Sequence, residues 1–329
     1  MKMPSQLGHK FSEVPQAEIQ RSQFNRSFGY KTTFDAGYLI PFYCDEALPG
    51  DTFQLSMQGF ARLATPLKPI MDNMYMETFF FAIPYRLVWS NFQKFMGELT
   101  DPADLGTDYL VPQMPGGAVS VGSLGDYFGI PLTGPEHDSL HYRAYNLVYN
   151  EFFRDQNLQD SVVVDMDDGP DTAADYVLLR RGKRHDYFTS CLPWPQKGDA
   201  VALPLGTYAD VVGPAAGSAT GVRYKTTPSA ILDLDVGGTG VAGDPVVTAA
   251  GVLSAGNLLQ VDLSDATAAT INELRQAFQL QKLLERDARG GTRYIEKIKA
   301  HFNVTSPDAR LQRPEYLGGG SSPVTVSPI

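Results

Sequence analysis

The sequence predicts a mainly β architecture with helices inserted in the connections between strands. Three observations lead there. Apolar and aromatic residues alternate with a period of two over two long stretches, the pattern of strands with one buried face. The 329 residues include 31 Gly and 23 Pro, together with 18 Phe, 16 Tyr and 2 Trp, a bias that favours turns and strands. Helical spacing is confined to a few windows.

Taken in order, even positions from 28 to 42 carry Phe28, Tyr30, Phe34, Ala36, Tyr38, Ile40 and Phe42, broken only at Thr32, which predicts a long first strand. The Pro49-Gly50-Asp51 turn follows, and odd positions Phe53, Leu55, Met57, Ala61 and Leu63 predict a second strand of similar length. Met74 to Trp89 is almost continuously apolar, as expected of a strand covered on both faces, with Pro84 bending or ending it. Ser90 and Gln93 have capping-box spacing before Phe95 and Met96 and predict a short helix. A longer one is expected over 139–157, with Tyr145, Val148, Tyr149 and Phe152 on one face. A third starts from the capping pair Thr270 and Glu273, turns Leu274, Phe278 and Leu284 inward and stops at Gly290-Gly291, before a further helix over 292–300.

Charge narrows the function classes. The chain has 37 acidic against 27 basic residues and a formal net charge of -10, so it is no free-standing nucleic-acid binder, and any contact with phosphate must be patchy. Within the first 31 residues Lys2, Lys10, Arg21, Arg26 and Lys31 oppose only Glu13 and Glu18, which makes 1–30 a mildly basic arm. Residues 101–176 hold fourteen acidic side chains against Arg143 and Arg154 alone, a solvated or cation-contacting surface. The sign then reverses with Arg180, Arg181, Lys183, Arg184 and Lys197 around Asp186. That cluster is either a plain solvated face or a contact for nucleic acid or a neighbouring subunit, and Tyr187 and Phe188 beside it leave base stacking open. Residues 199–270 have two basic residues, Arg223 and Lys225, and two aromatics, Tyr208 and Tyr224, and read as an insertion.

Other signals point to bland readings. No apolar run approaches the roughly 20 residues of a membrane helix, and Lys2, Pro4, His9 and Lys10 stand where a signal peptide needs an apolar run, so retention where the chain is made is expected. Cys44 and Cys191 are expected to stay reduced and are given no role. Gly238 to Gly243 fits the dinucleotide fingerprint, yet Asp244-Pro245-Val246-Val247-Thr248 continues as turn and strand, which favours a flexible loop. Asp165, Asp167, Asp168 and Gly169 suggest a calcium loop, but Tyr176 stands where its last Glu belongs; a solvated acidic loop is expected, with a loose surface cation as the alternative. His137 and His141 lie four apart with Asp138 between them and no third ligand in view, and are read as surface histidines. No nucleophile elbow or P-loop occurs, and His9, His185 and His301 sit in no nucleophile motif, so no catalytic residue, metal or cofactor is expected.

Several runs resemble one family. Arg21-Ser22-Gln23-Phe24-Asn25-Arg26-Ser27, Lys31-Thr32-Thr33-Phe34, Asp45 to Phe53, Thr65-Pro66 through Met71-Asp72-Asn73, Phe79 to Trp89, Leu192-Pro193-Trp194-Pro195-Gln196-Lys197-Gly198 and Arg313 to Gly319 are similar to the major capsid proteins of gokushoviruses, small single-stranded DNA phages of the microvirus group. The similarity is dense over 20–100 and 180–198, recurs over 270–320 and lapses over 199–268.

The resemblance implies a viral jelly roll, an eight-stranded antiparallel β-barrel with long, partly helical loops, whose copies tile an icosahedral T=1 shell around circular single-stranded DNA. It implies trimeric contacts at threefold axes, an internal scaffolding protein and a small DNA-binding protein as partners, a bacterial surface receptor, assembly in the host cytoplasm and residence in the virion. On this frame 1–30 is the basic arm, 31–198 the jelly-roll strands with helical insertions, 199–268 a threefold protrusion suited to host attachment, and 269–329 a helical connection returning to the jelly roll. DNA or subunit contact is expected from Lys10, Arg21, Arg26, Arg180, Arg181, Lys183 and Arg184, and host attachment from Tyr208, Arg223, Tyr224, Asp233 and Asp235. About half of the eight strands are countable before Val324 to Ile329, where a further strand is expected to begin, so the chain is expected to cover only the N-terminal part of the fold. A carbohydrate-binding jelly-roll module is the alternative, with the aromatics lining a sugar groove.

Overall fold

A computed structural model describes residues 20–99, 101, 103, 109–117, 119–182, 184, 186–188, 190–194, 197–198, five short strands between 211 and 261, and 271–306, 310 and 312–325. In chain order the elements are β1 (Tyr75–Ala82), α1 (Phe92–Phe95), β2 (Gln113–Met114), α2 (Leu124–Tyr127), β3 (His137–Asp138), α3 (Leu140–Val148) and β4 (Val211–Val212). There follow β5 (Gly221–Thr227), β6 (Ala230–Asp235), β7 (Val246–Thr248), β8 (Gln260–Val261), α4 (Ile271–Gly290), α5 (Tyr294–Phe302) and β9 (Glu315–Pro323). They fall into two compact units, one formed by Met1–Arg154, Val162–Gly182 and Tyr316–Ile329, the other by Asp155–Ser161 and Lys183–Glu315.

In the first unit β1 pairs with β9. Val324 N–H donates to the Met74 carbonyl at 2.9 Å, and Gly320 N–H donates to the Thr78 hydroxyl at 3.1 Å, so the two strands run antiparallel. The last described strand thus lies over Glu315–Pro323, and residues 326–329 of the further strand expected from Val324 lie outside the described residues. β1 ends at Ala82, and Pro84 opens a short 3-10 turn, Tyr85–Leu87, as its fixed φ favours. Phe79 and Phe81 on β1 pack on Phe153 at centroid distances of 5.1 and 5.8 Å, and Phe81 also packs on Phe152 at 4.8 Å.

The expected strands over 28–42 and 53–63 do not form. Among the described residues this region makes one bridge, Tyr38 to Arg180. A strand exists only through its ladder, and here Phe28, Phe34, Phe53, Leu55 and Met57 remain exposed. The period-two pattern thus marks an extended segment with an apolar side and no partner strand among the described residues.

The core consists of two clusters that share α3. Met114, Leu124, Tyr142 and Tyr176 form one, and Val88, Trp89 and Leu140 the other. α3 buries Leu140, Tyr142, Arg143 and Asn146, and is extended by a single π turn, Tyr149–Phe153. The expected 139–157 helix is therefore shorter: Tyr149 is buried as expected, Tyr145, Val148 and Phe152 are half-buried, and the most buried positions are Arg143 and Asn146. Ser90 does not cap α1; its hydroxyl donates to the Met166 carbonyl at 2.7 Å, and Asn91 takes the cap position.

In the second unit α4 and α5 form a helical hairpin broken at Gly291, whose φ of 93° suits a residue without Cβ. α4 keeps Phe278 and Leu274 exposed, against the expected inward face, and buries Asp287 and Ala288 instead. The 155–161 loop is held to this hairpin by Gln156 Nε2 on Glu296 at 2.7 Å and Asn157 Nδ2 on the Ala288 carbonyl at 2.9 Å. Asp287 takes Lys297 at 3.2 Å and His301 at 2.5 Å, and the His301 hydrogen bond holds its carboxyl below the usual range. Between 211 and 261, β4 pairs with β8 (Val211 opposite Val261), and β5, β6 and β7 form a separate antiparallel sheet. Among the described residues no helix is long and apolar enough to cross a membrane.

Candidate functional site

The first unit is organised around Arg143, the sole buried base within the acidic 101–176 segment. α3 carries its side chain inward to zero exposure. Nε donates to Asp171 Oδ2 at 2.7 Å, Nη1 to the carbonyls of Val88 at 3.1 Å and Asp167 at 2.8 Å, and Nη2 to the carboxylates of Asp167 and Asp171. The Tyr176 hydroxyl donates to Asp171 Oδ2 at 2.7 Å. Burial alone would raise the Asp171 carboxyl; hydrogen bonds from Arg143 and Tyr176 overcome it and hold the group below the ordinary carboxylate range. Burial and the Asp171 carboxylate push the Tyr176 phenol up in turn.

The same hub engages part of 165–169. Asp168 accepts the Trp89 indole N–H at 2.6 Å and Asn91 Nδ2 at 3.0 Å, while Asp167 is taken by Arg143. These carboxylates tie the loop to the core through protein donors, while the Asp167 side chain stays 77% exposed, as expected of a solvated acidic loop.

A second feature is an aromatic groove of about 390 Å³ lined by Phe28, Tyr30, Phe42, Tyr43, Tyr127 and Phe128, with Arg26, Cys44 and Asp45 at its edge. Tyr30 donates to the Tyr127 carbonyl at 2.9 Å and Tyr127 to the Thr33 carbonyl at 3.0 Å; Phe28 stacks on Tyr43 at 5.7 Å. Burial pushes the Cys44 thiol up to about 11, which keeps it protonated at neutral pH.

The expected contact residues separate into engaged and undescribed ones. Lys10, Lys183 and Tyr208 lie outside the described residues. Arg21 donates to the Gly50 carbonyl in the 48–51 turn, and Arg26 pairs with Asp45 at 2.7 Å. Arg180 lies 4.6 Å over the Tyr38 ring and donates to its hydroxyl at 2.9 Å. Arg181 pairs with Glu77 and stands 5.2 Å from the Phe79 ring. Arg184 is exposed, as are Tyr187 and Phe188. The first two members of the basic cluster stitch 180–181 to Tyr38 and to β1. Arg223 sits opposite Asp233, Tyr224 opposite Leu232 and Asp235 opposite Gly221 in the β5–β6 ladder. His137 lies 3.1 Å from the Tyr142 hydroxyl and 3.2 Å from the Pro135 carbonyl, away from any shared site with His141.

Sequence reasoning missed Arg143, Asp171 and Trp89 as organising residues, although a lone arginine on an apolar helix among fourteen acids was a readable signal. The arrangement is one of locks and stacked rings.

A family profile described as "Capsid protein (F protein)" matches residues 12–329. The chain belongs to this capsid protein family. It is similar to "Capsid protein VP1" of Bdellovibrio phage phiMH2K, 47% identical over 98% of this chain and 62% of that protein. The corresponding proteins of Chlamydia phage 1 and Spiroplasma virus 4 are 38% and 36% identical, covering 100% and 98% of this chain and 66% and 63% of their own lengths. The chain thus spans a little under two thirds of the curated relatives it matches. Membership of the capsid family agrees with the resemblance carried by the sequence runs to gokushovirus-type capsid proteins.

Proposed function

We propose that the chain is a structural, non-catalytic part of a phage capsid subunit that assembles with copies of itself into a closed virion shell. The observation that carries this reading is the capsid-family match along 12–329. The interior of the first unit is compatible with it: Arg143, Asp171 and Tyr176 bond one another and Asn146 Nδ2 bonds a backbone carbonyl, as in a scaffold. The strands and short helices are compatible with a mainly β capsid fold, and the jelly-roll barrel is our finer reading, with β1 and β9 as two adjacent members.

In the same reading the shell encloses single-stranded DNA, with an internal scaffolding protein and a small DNA-binding protein as partners. The basic contacts in this reading are Lys10, Arg21, Arg26, Arg180, Arg181, Lys183 and Arg184, of which Arg180 and Arg181 also engage Tyr38 and Glu77. The 199–268 insertion is the host-attachment element. Its described strands pair among themselves, β4 with β8 and β5 to β7 in one ladder, which favours a separable module. The test is the native mass of the purified polypeptide by light scattering, with electron microscopy of the particles. Megadalton closed shells are expected; a monodisperse monomer would sink the reading, and sugar binding would then be examined. Particles deleted for 199–268 are expected to assemble but not adsorb to host cells, and adsorption at the undeleted level would overturn the attachment role.

A further inference from the structure

The fold separates His137 from His141 and gives His141 different company. Glu46 from the loop ahead of the 48–51 turn, Asp138 at the end of β3 and His141 in the first turn of α3 each bring one ligand atom to a common place, all within 4.8 Å of one another. Among the described residues none of the three is hydrogen-bonded to another. Asp138 Oδ1 accepts the Leu140 N–H at 2.7 Å, which fixes its carboxylate at the start of α3.

Two carboxylates and an imidazole therefore converge at one place. Arg143 is the nearby cation, but its donors are all committed to Asp171, Asp167 and the Val88 carbonyl. Tyr85 and Cys44 are further titratable groups beside Glu46. A divalent ion would relieve the repulsion between the two carboxylates. The imidazole nitrogen decides the class, since calcium and magnesium select oxygen-only cages whereas zinc and manganese accept mixed N/O sets.

We propose that Glu46, Asp138 and His141 form a binding site for a divalent transition-metal ion of the zinc and manganese class, with water completing the coordination. The ligands come from three segments, so the ion clamps the extended 20–72 segment onto β3 and α3. Binding only the folded arrangement, it raises the stability of the first unit by mass action.

The test uses chelator-stripped full chain titrated with zinc chloride by calorimetry, with thermal melting in parallel and cobalt absorption as a spectroscopic check. One tight equivalent is expected, with a rise in melting temperature. Glu46→Gln, at an exposed position that removes no packing, and His141→Ala should each weaken zinc binding by at least about tenfold, as loss of a ligand does, while His137→Ala leaves it unchanged. No tight equivalent in the unmodified chain, undiminished binding in Glu46→Gln and His141→Ala, or equal losses in His137→Ala and His141→Ala would each overturn the site. Calcium displacing zinc at equal concentration would overturn the metal class.

Discussion

Arg143 and Asp171 meet in the interior of the first unit with side chains 0% and 1% exposed, a buried charge pair that α3 holds against the 165–171 loop. Removing one partner leaves the other as an uncompensated buried charge, which costs far more than the pair itself contributes. Arg143→Met should lower the unfolding free energy by about 3–5 kcal/mol in urea denaturation, and Arg143→Met combined with Asp171→Leu should lose distinctly less. Equal losses in the single and double variants would mean that packing, not charge, sets the effect.

The same pair fixes a pH response. The folded Asp171 carboxyl lies below its unfolded value, so its contribution is complete above the unfolded value, about 3.9, and is lost as pH falls through the depressed folded value. The first unit should keep the Arg143 lock through mild acid and release it only in stronger acid. Asp171→Asn should flatten the acid slope of stability measured by urea titration at successive pH values; an unchanged slope would assign it to other carboxylates.

Local chemistry was legible in the sequence and partnership was not. Pro84, Gly291 and the 48–51 turn stand where residue type demands, because each acts through its own backbone. Phe28 to Phe42 carry the alternation of a strand, yet alternation specifies a face and not a neighbour, and the one bridge formed here joins Tyr38 to Arg180 across 142 positions. Phe278 and Leu274 have the spacing of a buried stripe and lie exposed on α4 for the same reason. The Glu46, Asp138 and His141 set was hidden because Glu46 lies far from the other two in the chain.

Close approach of β9 to β1 gives a sharp test of their pairing. A Cβ on Gly319 would collide with the Thr78 carbonyl oxygen, whereas one on Gly320 would meet only the Thr78 hydroxyl at 3.6 Å. Gly319→Ala should therefore open the ladder and raise amide exchange at Gly320 and Val324, while Gly320→Ala leaves exchange within about twofold of the parent. Equal protection in both variants would place the two strands further apart than described.

Trp89 gives a second local readout. Its ring is 1% exposed and its indole N–H is bonded at 2.6 Å to Asp168, so Asp168→Ala leaves a buried donor without that acceptor. A loss of about 1–3 kcal/mol is expected, with a shifted emission from one of the two tryptophans. Asp168→Asn, which keeps an acceptor oxygen, should recover much of it; identical losses would point to the neighbouring Asn91 contact as the larger one.

The last prediction concerns how much of the basic cluster remains for a partner. Arg181 pairs with Glu77 on β1 and lies 5.2 and 6.0 Å from the Phe79 and Phe153 rings, so its guanidinium satisfies a partly buried carboxylate and covers two aromatic faces at once. A lysine reproduces the charge but not the planar stacking. Arg181→Ala should cost about 1–2 kcal/mol and Arg181→Lys about half of that, with a coupling to Glu77→Gln near 1 kcal/mol in a double-mutant cycle. On the proposed DNA-enclosing role, single-stranded DNA binding by the Ala variant should match the parent's, because the guanidinium it removes is engaged by Glu77. Zero coupling together with weakened DNA binding would return Arg181 to the phosphate-contacting set and leave Arg180 as the one arginine of this pair with an internal role.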